Sequence, residues 1–252
     1  MIHSFLLIGQ SNAAGRGFLQ DASLLDTCDG RLQVLRNGLW LKMFRPVNGD
    51  RRFSGTCFAE TFAKAYALDH PQLQVGIIPC ADGGTSIEQW LPGQILFDNA
   101  VNCARLAMRT SHLVGILWHQ GESDCRPERY PFYAERLEKI ITSLRQALGK
   151  PDLPVLIGGL GDYLKDNPRD YLTNYTIIND QLQQVAAQDE HCVFVSAEGL
   201  TPNPDMLHFS AAGLEALGYR YFDAFKRHPD YPQTFAVNEA AENNVRTDIE
   251  QL

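Results

Sequence analysis

The chain has 252 residues, with 30 acidic against 22 basic side chains and a formal charge of −8. That balance argues against a nucleic-acid backbone or an anionic membrane surface as partner and suits a neutral or weakly charged small molecule. The length fits one generous α/β domain that buries its core without disulfides or metals, and no apolar run reaches the roughly eighteen residues that a membrane span needs.

In chain order, Phe5-Leu6-Leu7-Ile8-Gly9-Gln10-Ser11-Asn12 reads as a buried strand that stops at a glycine and delivers a serine to the carboxyl edge of a sheet. Alone, the stretch equally suits an ordinary strand, turn and N-cap, with Ser11 or Asn12 accepting from backbone N–H groups. Residues 13–54 are rich in Gly, Asp, Asn and Arg and read as loops, with a short strand available at 32–35. Residues 56–69 carry Phe58, Phe62, Ala65 and Tyr66 at helical spacing, and Pro71 ends that helix. Residues 73–78 form a second predicted strand. After a Gly-Gly turn, a helix over 97–109 presents Ala100, Cys103, Ala104 and Ala107 inward.

A third strand, 113–118, is almost continuously apolar, as expected when both sheet faces are covered. The amphipathic helix 130–148 ends at Gly149 and Pro151. Strand 154–159, helix 173–188, strand 192–196 and helix 211–226 complete the pattern. The alternation predicts a three-layer αβα sandwich around a five-stranded parallel sheet. One domain over 1–228 is expected, with residues 229–252 an acidic tail on the surface or without fixed structure. The cysteines at 28, 57, 80, 103, 125 and 192 show neither a C-x-x-C pair nor zinc-ligand spacing, so no metal is expected. Four of them lie in or beside apolar segments and read as buried free thiols of a reducing compartment. The start is too short for a leader, which makes the cytoplasm the expected compartment.

Four polar clusters follow predicted strands: Ser11; Asp82-Gly83-Gly84-Thr85-Ser86; His119-Gln120-Gly121-Glu122-Ser123-Asp124; and Asp205-Met206-Leu207-His208. A parallel sheet brings all four to one edge. Asp205 and His208 are three apart, so on a helical turn their side chains share one face, and the carboxylate can accept from Nδ1–H while Nε2 takes a proton from Ser11. The rival reading makes Asp205 a cap of the last helix and His208 a surface residue. Acyl transfer also needs oxyanion donors, for which the Ser11 N–H, the Gly83 N–H and the Gln120 amide are candidates; plain turn and loop-bracing roles compete. Glu122 either orients His208 or anchors a loop. Trp90 stacks on a sugar or packs in a loop, Trp118 is core, Arg16 meets a substrate carboxylate or is solvated, and His119 sits behind the site.

Gly9-Gln10-Ser11-Asn12, Gly83-Gly84-Thr85-Ser86-Ile87 with Trp90, Trp118-His119-Gln120-Gly121-Glu122-Ser123-Asp124 and Asp205-Met206-Leu207-His208-Phe209 together resemble the carbohydrate esterase branch of the SGNH hydrolase superfamily. More narrowly, they are similar to the sialate O-acetylesterase-like domain shared with family 6 acetylxylan esterases. The resemblance implies a flavodoxin-like fold and a cofactor-free serine esterase that removes acetyl groups from sugar hydroxyls. It implies Ser11 as nucleophile, His208 as base, Asp205 as its partner, and an oxyanion hole of Ser11 N–H, Gly83 N–H and the Gln120 amide. Gln10, Asn12, Glu122, Gly84, Trp90 and Arg16 are the supporting or substrate-contacting candidates. The expected partner is an acetylated mono- or oligosaccharide, with sialic acid or a xylo-oligosaccharide among the options. A different acyl group, or a non-catalytic sugar binder, is the alternative. Arg16 and Arg126 make a carboxylated sugar admissible, and the oligomeric state stays open.

Overall fold

The computed structural model describes residues 1–23 and 29–232. Its centre is strand β1 (Ile2–Gly9), buried from His3 onward because neighbours flank it on both sides and helices cover both faces. Among the described residues the sheet has seven strands in the order β3-β2-β4-β1-β5-β6-β7, with β4 (Gln74–Pro79), β5 (His112–His119), β6 (Val155–Gly158) and β7 (Cys192–Val195) parallel to β1. The five expected strands are these. Two more, β2 (Leu32–Arg36) and β3 (Leu39–Lys42), extend one edge. β2 runs parallel to β4, whereas β3 returns antiparallel to β2, so the sheet is mixed rather than purely parallel. The two-residue turn Asn37-Gly38 makes that hairpin, both residues having positive φ.

The short helix α1 (Ser11–Ala14) follows β1 at once. Helices α2 (Phe58–Asp69) and α6 (Ala211–Lys226) pack together on one face, while α3 (Ile95–Ala107), α4 (Tyr133–Leu148) and α5 (Tyr175–Gln188) cover the other. These three layers follow from amphipathic spacing. On α2, Phe58, Phe62 and Tyr66 are fully buried, and Glu60 caps the start by accepting the Cys57 N–H at 3.1 Å. Helix α4 begins later than expected because Pro131 holds residues Tyr130–Phe132 in a tighter turn. The expected tail boundary also moves. Tyr231 is buried against Tyr66, His70 and Phe225, so packing against α2 and α6 continues at least to there. Residues 233–252 lie outside the described residues, as does Cys28. Cys57, Cys80, Cys125 and Cys192 are buried free thiols and Cys103 is half-buried. No helix among the described residues is long and apolar enough to cross a membrane.

Candidate active site

The carboxyl ends of β1, β4 and β5 open onto one cavity of about 620 Å³, lined by Gln10, Ser11, Arg16, Gly83, Glu122 and His208, among others. The approach of β1 to β5 sets Ser11 in place. Gly9 pairs with His119 and has φ +130°, and any Cβ there would overlap the His119 carbonyl oxygen. Gln10 N–H then bonds to that carbonyl at 3.0 Å, and the chain turns into α1 with Ser11 as its first residue.

Ser11, His208 and Asp205 form one hydrogen-bonded line. His208 Nε2 lies 3.0 Å from Ser11 Oγ, and its Nδ1 lies 2.6 Å from Asp205 Oδ2. The other Asp205 oxygen accepts the Leu207 and His208 N–H groups, both at 3.0 Å. The segment is a tight turn with Met206 at φ +50° rather than a helical turn. The last helix is capped instead by Ser210, which accepts the Gly213 N–H at 3.0 Å. Burial would raise the Asp205 carboxyl, but the two N–H donors and His208 hold it below the usual carboxylate range. Burial pushes the His208 imidazole below its ordinary value. The Asp205 hydrogen bond and charge oppose that shift, and Arg16 and Arg169 add to it. A neutral imidazole held this way can take a hydroxyl proton and return it.

Asn12 ties the nucleophile side to the base side. Its Nδ2 donates to Glu122 Oε1 and to Leu207 O (3.3 Å), and its Oδ1 accepts the Phe209 N–H at 3.1 Å. One amide thus holds the backbone on both sides of His208. Glu122 therefore does not orient the imidazole; Asp205 does. Burial and the nearby Asp124 charge raise the Glu122 carboxyl to about 7, against the Asn12 hydrogen bond. His119 is fully buried behind the site, with Nδ1 3.2 Å from Tyr221 Oη, and burial lowers it to about 3.

Four expectations change. The Gly83 N–H donates to Asp50 Oδ2 at 2.9 Å, so it faces a carboxylate rather than an incipient oxyanion. The Gln120 amide is fully buried, with Nε2 directed at Gln10 Oε1 (3.0 Å), Thr85 O (3.1 Å) and Asp124 Oδ2 (2.6 Å), and it does not line the cavity. Trp90 is 1% exposed, edge-on to Trp118, with Nε1 donating to Thr85 Oγ1 at 3.1 Å; it is core and out of reach of a sugar. Arg16 is neither solvated nor free: it lines the cavity while gripping Asp50 through both Nη atoms, at 3.0 and 2.7 Å. Gly84 lines the cavity as a turn residue at φ +80°.

Asp50 was invisible as a site residue because it sits in an aperiodic loop. Buried, it collects Arg16, Ser54 Oγ (2.8 Å) and the Gly83 N–H, and these donors outweigh the upward push of burial to keep its carboxyl low. Arg129, Arg169 and Tyr171 likewise line the cavity from loops, and no spacing rule marks them. Among the described residues no cluster of three or more His, Cys, Asp or Glu could hold a metal ion.

Residues 1–227 match the family model described as "Carbohydrate esterase, sialic acid-specific acetylesterase". A probable carbohydrate esterase of Arabidopsis thaliana is 28% identical over 244 residues, covering 88% of this chain and 89% of the relative. A crystal structure of an Arabidopsis thaliana protein superposes with a TM-score of 0.74 at 23% identity, over 90% of this chain and 98% of the other. That of a carbohydrate acetylesterase from Xanthomonas citri gives 0.68 at 18% identity, over 90% of this chain and 56% of the other. These likenesses show a shared fold. The family model spans almost all of the described chain, and on that ground the protein belongs to the sialic acid-specific acetylesterase family of carbohydrate esterases and is a carboxylic ester hydrolase.

Proposed function

We propose that the protein removes O-acetyl groups from a carboxylated sugar through an acetyl-serine intermediate. The observation that carries this is the Ser11–His208–Asp205 line opening on a cavity rimmed by arginines. Ser11 Oγ adds to the acetyl carbonyl carbon as His208 Nε2 takes its proton. The tetrahedral adduct then collapses, the sugar oxygen leaves with that proton, and Ser11 keeps the acetyl group. Water, deprotonated by His208, attacks the acetyl-serine; the proton returns to Ser11 and acetate departs. Asp205 holds the Nδ1–H tautomer and stabilises the imidazolium formed in each half.

The carboxylated substrate is argued from charge. Arg16 is paired with Asp50 and Arg51 with Asp82 (2.7 Å). Arg126, Arg129 and Arg169 line the same cavity and enter no ion pair among the described residues. Arg126 lies 3.9 Å over the Tyr171 ring, which fixes its plane, and Arg129 Nη1 donates to Ser123 O at 2.9 Å. Planar, pre-oriented guanidinium groups match a carboxylate.

A second reading, a longer acyl group, draws on a neighbouring groove of about 580 Å³ where Phe18, Leu19 and Phe53 are exposed beside His208 and Asp205. The test is acetate release from acetylated sialic acid, acetylated xylose, acetylated glucose and nitrophenyl acetate, with a chain-length series of nitrophenyl esters alongside. Highest kcat/KM on the carboxylated sugar, lost in Ser11→Ala, is the expected result. Activity surviving in Ser11→Ala contradicts the nucleophile, and a rise with chain length favours the second reading.

A further inference from the structure

The proposed ester chemistry uses none of the cysteines, yet two of them meet just below the cavity. Cys80 directly follows β4 and is 6% exposed. Its N–H donates to Leu7 O at 2.9 Å, which pins it to β1. Helix α3 packs against β4 and carries Cys103, half-buried against the core that includes Cys80. There the Cys80 thiol donates a hydrogen bond to the Cys103 sulfur. Cys103 Sγ also lies 3.8 Å from Asn99 Oδ1, one turn back on the same helix.

The two sulfurs are not equivalent. Cys80 keeps its proton: the hydrogen bond to Cys103 and burial raise its thiol, and the Arg36 charge only partly opposes them. Cys103, on the accepting side of that bond, is held below the ordinary thiol value although burial pushes the other way. Cys57, Cys125 and Cys192 are all pushed up, chiefly by burial. Among the described cysteines the thiolate, which is the nucleophilic form, therefore concentrates on the one with the most solvent access.

We propose that Cys80 and Cys103 form an oxidation site, at which a hydroperoxide converts the touching thiols to a disulfide. The Cys103 thiolate attacks one peroxide oxygen. An S–O bond forms, the O–O bond breaks, and the departing hydroxide takes up a proton as water. Cys80 then gives up its proton and its sulfur attacks the Cys103 sulfenic acid. The S–S bond forms as the S–O bond breaks, and hydroxide leaves with that proton as a second water. The sulfurs lose two electrons in all and the peroxide oxygens gain them. The segment between the two cysteines carries Gly83 and Gly84 to the cavity wall, so the disulfide ties that segment at both ends. The proposal is independent of the esterase reading, because it needs neither Ser11 nor a sugar.

The test treats the full chain, first reduced with dithiothreitol, with hydrogen peroxide and maps its peptides without reduction by mass spectrometry. The unsubstituted protein, Cys80→Ser and Cys103→Ser are compared, with thermal unfolding of each to show that it is folded. Expected in the unsubstituted protein is a Cys80–Cys103 linked peptide, lighter by two hydrogens than the separate peptides and released again by dithiothreitol. In Cys80→Ser the sulfenic acid has no resolving thiol, so dimedone should trap it on Cys103. In Cys103→Ser, Cys80 should stay reduced. Before oxidation, iodoacetamide should alkylate Cys103 at least roughly tenfold faster than Cys57, Cys125 or Cys192. Two intact thiols at 80 and 103 after peroxide treatment would overturn the proposal. So would a Cys103 disulfide to Cys28 or to a second molecule in place of Cys80. Both results are read on the unsubstituted protein and need no variant to fold.

Discussion

His208 carries the chemistry of the proposed reaction, and its protonation state is set by opposing neighbours. Burial disfavours the imidazolium most, Arg16 and Arg169 disfavour it further, and Asp205 favours it without prevailing. The base form is thus kept to lower pH than in a free histidine. The acid limb of kcat/KM should therefore fall below pH 6.5, the ordinary value, and a limb at or above that value would contradict the burial argument. Asp205→Asn removes the group that raises the imidazole and selects its tautomer. The limb should move lower still while kcat drops by about 10³–10⁴-fold, both read from one pH–rate profile. Asn12 has no part in the proton transfer, but its single amide spans from Glu122 to the backbone on either side of His208.

Among the elements, the pair α2 and α6 sets how closely the back of the sheet can close. Gly218 of α6 lies so near the Phe58 carbonyl of α2 that a Cβ there would collide with it, and Phe58 stacks on Tyr221 at 4.3 Å between ring centroids. Tyr221 Oη donates to Trp118 O at 2.7 Å, joining α6 to the end of β5 beneath the site. Gly218→Ala should lose about 1–3 kcal/mol of stability through forced separation of the helices. Denaturant unfolding measures this, and an unchanged midpoint would mean that the contact has slack. These helices were legible because an apolar stripe at helical spacing is a local signal. β3 was only half legible: Asn-Gly between two apolar runs is a hairpin signal, but the exposed Leu39 and Leu41 belong to a short edge strand whose run by itself resembles a loop.

Over the whole molecule, a chain of net charge −8 surrounds a cavity whose rim is cationic. The two charges act over different ranges: salt screens the global repulsion of an anion and also the local attraction of Arg126, Arg129 and Arg169. For a carboxylated acetyl sugar the local term is the closer one, so kcat/KM should fall roughly three- to tenfold between low and high ionic strength. Nitrophenyl acetate, being neutral, should be turned over at the same rate throughout. Equal salt response for both substrates would remove the argument from the arginines.

The sequence by itself determined the layered α/β architecture, the edge at which the site lies and the Asp205–His208 pair. The first two follow from pattern, since buried strands are continuous apolar runs and parallel strands end at one edge; the pair was legible from its spacing of three, although it meets on a tight turn with Met206 at φ +50° and not on a helical one. Tertiary structure decided what each donor and cation faces. Asp50, from an aperiodic loop, takes both Arg16 and the Gly83 N–H. Asp124 and Thr85 draw the Gln120 amide inward, where it also donates to Gln10 Oε1. A hydrogen bond is a contest among every acceptor within about 3 Å, and the competitors here come from segments far apart in the chain, so the outcome exists only once the fold has brought them together.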